Sequence, residues 1–359
     1  MSSVLDMKAA CVVLAASLVI SASVHANPSF QNFDTRSGLA DDSVLSVNAN
    51  NGYIYVGTSA GLSVSSNNGS NWISYTTANG LNDNYVWSVA SSGQYVYAGT
   101  NGGLGVSSDN GATWSNITTA NGLASNSVLS VYSRGSYVYA STNGTSISVS
   151  SDNGQSWVNY AKGEWLNSTC YSVHASDRYL VAGLMGVGVG ISLDQGATWT
   201  TRGRADGMWS NDVVSVFATN DRIYAGTNGG GLNVSDDGGL TWSTLFAFNG
   251  IGSNNIMGIW ATGSNVYLAT FGGGVGFSDD YGVTWASYTT DDGLASSDVQ
   301  SVYADDYFLY AGTWGDGLSV VQFTAVPEPS TYGVSIGSLA LLLCMFRRLS
   351  SRTRGQAVP

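Results

Sequence analysis

Proline is all but missing from this 359-residue chain. Its four copies stand at positions 28, 327, 329 and 359, so no residue from Ser29 to Val326 interrupts a β-ladder for want of an N–H. Cysteine is as scarce. Cys11 and Cys344 lie in apolar terminal stretches, which leaves Cys170 alone in the body of the chain and excludes an internal disulfide. Stability must then come from a core. Basic residues are few: between Asn27 and Val326, Arg36, Arg134, Lys162, Arg178, Arg202, Arg204 and Arg222 stand against 22 acids. Such a surface cannot neutralise phosphates, which excludes nucleic-acid binding and argues against attraction to anionic lipid. The histidines are His25 and His174, and the body of the chain has one glutamate, Glu164. No zinc or haem spacing exists. The aspartate pairs Asp279-Asp280, Asp291-Asp292 and Asp305-Asp306 leave calcium open but lack its twelve-residue loop pattern; no metal or cofactor is assigned.

What is present begins with a leader. Lys8, the apolar stretch AACVVLAASLVI and the small residues SASVHA, with Val24 and Ala26 at the −3 and −1 positions, describe a secretory signal peptide over residues 1–26. Met7 offers an alternative start.

An octet then recurs. SSDNGATW from Ser107 has relatives at Ser65, Ser150, Ser192, Ser235 and Ser278. Their final residues, Trp72, Trp114, Trp157, Trp199, Trp242 and Trp285, fall at intervals of 42 or 43. A second marker opens each unit: VLSVN (Val44), VWSVA (Val86), VLSVY (Val128), CYSVH (Cys170), VVSVF (Val213), IMGIW (Ile256) and VQSVY (Val299). Strands such as YVYAGT and GLGVS lie between them. Four short β runs per unit, broken by Gly and Asn turns, predict one blade of a β-propeller. Seven markers but six octets leave the last unit one strand short. The segment PSFQNFDTRSGLADDSV aligns with ATWSNITTANGLASNSV, with Phe30 in the tryptophan position. The expectation is all-β: one seven-bladed propeller over residues 27–324, closed by its amino-terminal strand, which removes a sheet edge.

The octets fit S-x-D-x-G-x-T-W and resemble the Asp-box of sialidases, sortilin-type receptors, xyloglucanases and photosystem II assembly factors. Asn67, Asp109, Asp152, Asp194, Asp237 and Asp280 hold the acidic position. Such a side chain accepts N–H groups of its own turn, the glycine supplies a left-handed conformation and the tryptophan anchors the hairpin, so the octet reads as a fastener. GLNDNYVWSV…YVYAGTNGGL from Gly80 is similar to propeller repeats in the sensor domains of two-component regulators.

Residues 325–359 resemble a PEP-CTERM sorting signal: Pro327, Glu328 and Pro329, an apolar run at 332–346, then Arg347, Arg348, Arg352 and Arg354. That resemblance implies processing by an exosortase-type membrane enzyme in a Gram-negative bacterium, with membrane attachment through this segment before release to the cell surface or matrix. A plain single-span tether is the alternative. The run is short for a full span, but flanking arginines can snorkel.

No catalytic set emerges. Sialidases need an arginine triad, an Arg-Ile-Pro motif and a tyrosine paired with glutamate, whereas DRIYAG at Asp221 lacks the proline. Xyloglucanases use two aspartates between two propellers, and one propeller cannot form that cleft. His174 shares its register with Asn48, Ala90, Tyr132, Phe217, Trp260 and Tyr303, so it reads as a packing residue; Cys170 reads as a buried apolar thiol. The repeat breaks in YAKGEWLNST, TTRGRADGMWSND and GLMGVGVG, all around the fourth unit. These stretches bring in Lys162, Glu164, Trp165, Arg202, Arg204, Asp206 and Trp209, which suit an acidic sugar or an acidic partner surface. Trp314 and Asp316 form a second, lesser cluster. The expected function is non-catalytic binding of polysaccharide or protein outside the cell. The alternatives are a glycoside hydrolase or lyase using Asp206 or Asp212, and an assembly factor.

Overall fold

The computed structural model describes residues 29–144, 146–161 and 168–323. Seven four-stranded antiparallel sheets follow one another along the chain. Val44–Tyr75, Val86–Ile117, Val128–Ala161, Cys170–Arg202, Val213–Leu245 and Ile256–Tyr288 form blades 1 to 6. Blade 7 takes three strands from Val299–Gln322 and its fourth, the closing strand, from Gln31–Phe33. Gln31 pairs with Val320 and Phe33 with Leu318. Phe30 sits over Gly293 as Trp72 sits over Gly38 and Trp114 over Gly80. The seven-bladed, self-closing ring predicted from the repeat is the observed fold, and no α-helix occurs among the described residues.

The two middle strands of a blade are covered on both faces by its neighbours. Tyr53–Thr58 and Gly61–Ser65 are buried over nearly their whole length, while the outer strand Ile73–Tyr75 is partly exposed. The core therefore lies between blades rather than inside one sheet. Tyr55, Leu62 and Val64 of blade 1 pack with Val86, Val89 and Val96 of blade 2. Phe33, Tyr310 and Leu318 of blade 7 pack with Val44, Val47 and Ile54 of blade 1.

The opening marker of each unit has a physical cause. In the innermost strand of every blade the pairing slips by one residue after the first apolar position, as between Val44 and Ser46. The serine that follows reaches across to the next blade. Ser46 Oγ accepts the Val89 N–H at 2.9 Å, Ser88 that of Val131 at 3.0 Å, Ser130 that of Val173 at 3.3 Å and Ser172 that of Val216 at 3.1 Å. The serine is an inter-blade tie.

Alternation of antiparallel strands divides the turns between two faces. Octets join third to fourth strands and share a face with the first turns: Asn110 N–H donates to the Gln94 carbonyl and Tyr281 N–H to that of Ser264. The connectors between blades share the opposite face with the turns between second and third strands, as Phe271 N–H to the Asn255 carbonyl and Trp314 N–H to that of Asp298 show. Innermost strands of all seven blades line a central channel of about 280 Å³.

Candidate functional site

The octets tie up their own carboxylates. Ser107 donates to Asp109 Oδ1 at 2.8 Å, and that oxygen also accepts the Thr113 N–H at 2.8 Å; Oδ2 accepts the Thr113 hydroxyl at 2.7 Å. Ser107 Oγ accepts the Gly111 N–H, and Trp114 Nε1 donates to the Gly111 carbonyl at 3.0 Å. Asp152, Asp194, Asp237 and Asp280 repeat the arrangement. Asn110 and Gly111 are both left-handed, at φ 58° and 89°, which explains Asn or Gly followed by Gly in most copies. Hydrogen bonds led by the Ser156 hydroxyl hold the Asp152 carboxyl down to about 2, and Thr241 does the same for Asp237. Asn67 keeps the bonds from Ser65 and Asn71, at 3.0 and 2.9 Å, but Asn71 offers no hydroxyl and Trp72 Nε1 is buried without a partner among the described residues.

On the connector face, the stretch after blade 4 keeps the shape of its counterparts. Arg204–Asp206 forms a short 3-10 turn ended by left-handed Gly207, as Thr119–Asn121 is ended by Gly122 and Thr290–Asp292 by Gly293. Asn211 Oδ1 accepts the Arg204 N–H at 2.8 Å, the role played by Asn126 toward Thr119. The break in the repeat there is one of side chains, not of backbone. Asp206 Oδ2 accepts the Gly203 N–H at 2.9 Å, so this aspartate closes the turn as Asn121 and Asp292 do elsewhere. Asp212 Oδ1 accepts the Gly186 N–H at 3.1 Å and ties the connector to the neighbouring GLMGVG turn.

Arg202 stands apart from the expected cluster. As the last residue of its strand it holds the register of Tyr75, Ile117, Leu245 and Tyr288, which pack between blades. Its Cγ lies 3.4 Å from the Cβ position of Gly239, in the octet of blade 5, and its guanidinium reaches Asp206 at 3.7 Å. The stem is thus inter-blade packing. Arg204 is exposed, and no ion pair engages it among the described residues. Trp209 is 60% exposed. Lys162, Glu164 and Trp165 lie outside the described residues, as do Pro327, Glu328, Pro329, Arg347, Arg348, the leader and the apolar run at 332–346.

The sequence reading missed two partners of Trp209. Phe246 meets it edge-on, with centroids 5.2 Å apart and planes at 86°, and Phe248 stacks on Phe246 at 5.5 Å. Phe248 is 83% exposed. The signal was available in FAFNG, where other connectors have TTANG. Trp209, Phe246, Phe248 and Arg204 therefore come from two successive connectors on one face. Trp314, on the turn of blade 7, is half exposed on that face too.

His174 is buried against Tyr132 and Phe217, at centroid distances of 4.1 and 3.8 Å. Its Nδ1 accepts the Ala218 N–H at 3.2 Å, and burial, aided by Arg134, pushes its pKa down to about 3. The ring is therefore neutral, with its proton on Nε2. Burial pushes the Cys170 thiol up to about 12. No group of three or more His, Cys, Asp or Glu side chains could hold a metal ion among the described residues.

Residues 32–170 match the family described as the DUF6242 beta propeller domain. No curated protein matches the sequence. Among solved structures, the extracellular domain of a protein described as a hybrid two component system from B. thetaiotaomicron superposes with a TM-score of 0.67 at 19% identity, over 82% of this chain and 42% of that one. YCF48 bound to D1 peptide gives 0.65 at 17% identity, over 82% and 96%. The GH74 enzyme of Niastella koreensis gives 0.55 at 19% identity, over 79% and 43%. This chain thus spans less than half the length of the first and third. At such identities the likeness is one of architecture: the chain shares the β-propeller fold with the extracellular domain of a two component system, a protein bound to a peptide and an enzyme.

Proposed function

We propose that this chain is an exported, non-catalytic propeller that binds polysaccharide or protein at the cell surface or in the extracellular matrix, through its connector face. One observation carries the reading: exposed Trp209 and Phe248 are joined through the half-buried Phe246 across two successive connectors, and exposed Arg204 stands on the first of them. Aromatic faces stack on sugar rings or apolar side chains, and a guanidinium offers a fork to a carboxylate. Export, exosortase processing and membrane attachment through residues 325–359 belong to the same proposal and rest on the sequence resemblance. The extracellular neighbour and the peptide-bound neighbour support a binding role.

The hydrolase or lyase alternative draws on the GH74 neighbour. It asks Asp206 or Asp212 to act as general acid or base. Asp206 is engaged by a backbone N–H of its own turn and Asp212 by one of the neighbouring turn, which favours a structural role for each. The test is retention of the full-length protein on immobilised acidic polysaccharide and on extracellular matrix from the producing cell. Trp209→Ala and Arg204→Ala should each weaken retention at least tenfold while the melting temperature stays put. Undiminished retention by both variants would remove the connector face from the reading; release of reducing ends, lost in Asp206→Asn, would replace it with the enzyme.

A further inference from the structure

The central channel carries chemistry that the connector face does not. At its connector end the lining is mostly apolar, with Leu45, Trp87, Leu129, Tyr171, Val214 and Met257 at equivalent places of their strands and Gln300 at the seventh. Tyr171 is 41% exposed there. Below them runs the serine collar. Ser46, Ser130 and Ser172 each accept an N–H from the next blade, so each hydroxyl still has its proton to donate. At the far end Tyr132, His174, Phe217, Trp260 and Tyr303 form a continuous arc of rings, with successive centroids 4.1, 3.8, 5.3 and 4.4 Å apart.

Two further facts narrow the ligand. His174 Nε2 and Trp260 Nε1, on two rings of that arc, are buried polar atoms with no hydrogen-bond partner among the described residues. They have no accessible surface of their own, so the donors open to a guest are the serine hydroxyls. And among the described residues no Asp, Glu, Lys or Arg lines the channel, although the molecule around it is strongly acidic. A charged guest would find no counter-charge there and would lose its hydration. Aromatic walls, hydroxyl donors and no ionic group suit a neutral, hydroxylated ring. The volume, about 280 Å³, holds roughly nine waters or one pyranose ring.

We infer that the channel, entered from the connector side, is a binding site for one neutral sugar unit. The inference rests on the binding reading above, but on different residues: the connector aromatics and Arg204 would hold the outer part of a glycan, and the channel one uncharged unit of it. Saturation-transfer NMR and calorimetry on the full-length protein, with free glucose, galactose, mannose and N-acetylglucosamine against glucuronate, provide the test. At least one neutral sugar should bind with one site per chain, and glucuronate at least tenfold more weakly. Leu129→Trp or Val214→Phe, which narrow the mouth, should weaken it tenfold or more without lowering the melting temperature, and Ile73→Ala, on the exposed outer strand of blade 1, should leave it unchanged. Absence of binding by every neutral sugar, equal binding of glucuronate, or full binding by both narrowed variants would overturn the channel site. Polysaccharide retention that depends on Trp209 would stand through any of those outcomes, so the two readings fail separately.

Discussion

Opposite each serine of the inner strand stands a small residue of the second strand. Ser46 faces Gly57, Ser88 faces Gly99 and Ser301 faces Gly312. Glycine is required by close approach: a Cβ on Gly99 would lie 3.0 Å from Val128 Cγ1, and one on Gly312 would lie 2.4 Å from Val44 Cγ1. Two blades depart from the rule, and each departure is compensated. Blade 6 has Ala269 in the second strand, and its partner is Gly258 instead of serine. Blade 3 has Ser141, and the valine it should meet on the next blade is Cys170, a smaller residue; the Ser141 hydroxyl lies against the thiol. Restoring valine there should therefore do harm. We expect Cys170→Val to cost about 1–3 kcal/mol by overpacking, with Ser141→Gly recovering part of that loss in the double variant, read from denaturant midpoints. A double variant no more stable than the sum of its singles would refute the compensation. Cys170 and His174 were legible as packing residues because the repeat assigns a register to every position of the inner strand. Arg202 was not, because a long stem at a strand end can lie between blades or reach solvent, and spacing does not choose.

Among the elements, the octet hairpins and the connectors are built by the same device, a side-chain oxygen bonded to the N–H groups of its own turn. The octets should make stability depend on acid. The free carboxyl of aspartate titrates near 3.8, and in the fold Asp152 and Asp237 are held at about 2 by hydrogen bonds. A depressed pKa means that the folded state releases the proton more readily. The stabilisation is then complete above about pH 4 and is lost as pH falls toward 2. Thermal melts across that range should show the midpoint falling, and Asp152→Asn combined with Asp237→Asn should flatten the slope. A slope unchanged in the double variant would place the acid sensitivity elsewhere. The same device explains what sequence spacing concealed in the connectors. Asp206 looked like a free carboxylate because its connector reads RAD where others read TAN, yet it closes the turn as Asn121 does. Phe246 and Phe248 belong to the next connector and carry no charge, so the basic residues and tryptophans around the fourth unit do not point to them. Their grouping with Trp209 joins two connectors 37 residues apart in sequence, Trp209 and Phe246, and only the ring brings those together.

At the scale of the molecule, stability depends on closure. Each blade buries its faces only against neighbours, so the seam between blades 7 and 1 has to hold for the rest to remain covered. Phe33 of the closing strand is 5% exposed, sits in the cluster that joins those blades and meets Trp72 edge-on at 5.8 Å. Phe33→Ala should cost about 3–5 kcal/mol in a denaturant titration, whereas Ile73→Ala, on the outer strand of blade 1 and 61% exposed, should change stability by about 0.5 kcal/mol or less. Equal losses would deny the seam its special weight. The number of blades and the closing strand could be read from the sequence because seven markers against six octets is an arithmetic deficit, and the amino-terminal segment fills it. The pairing of Gln31 with Val320 also sets an order in time. Its partners lie at opposite ends of the described propeller, so the third strand of blade 7 keeps an open edge until all the chain between them has folded.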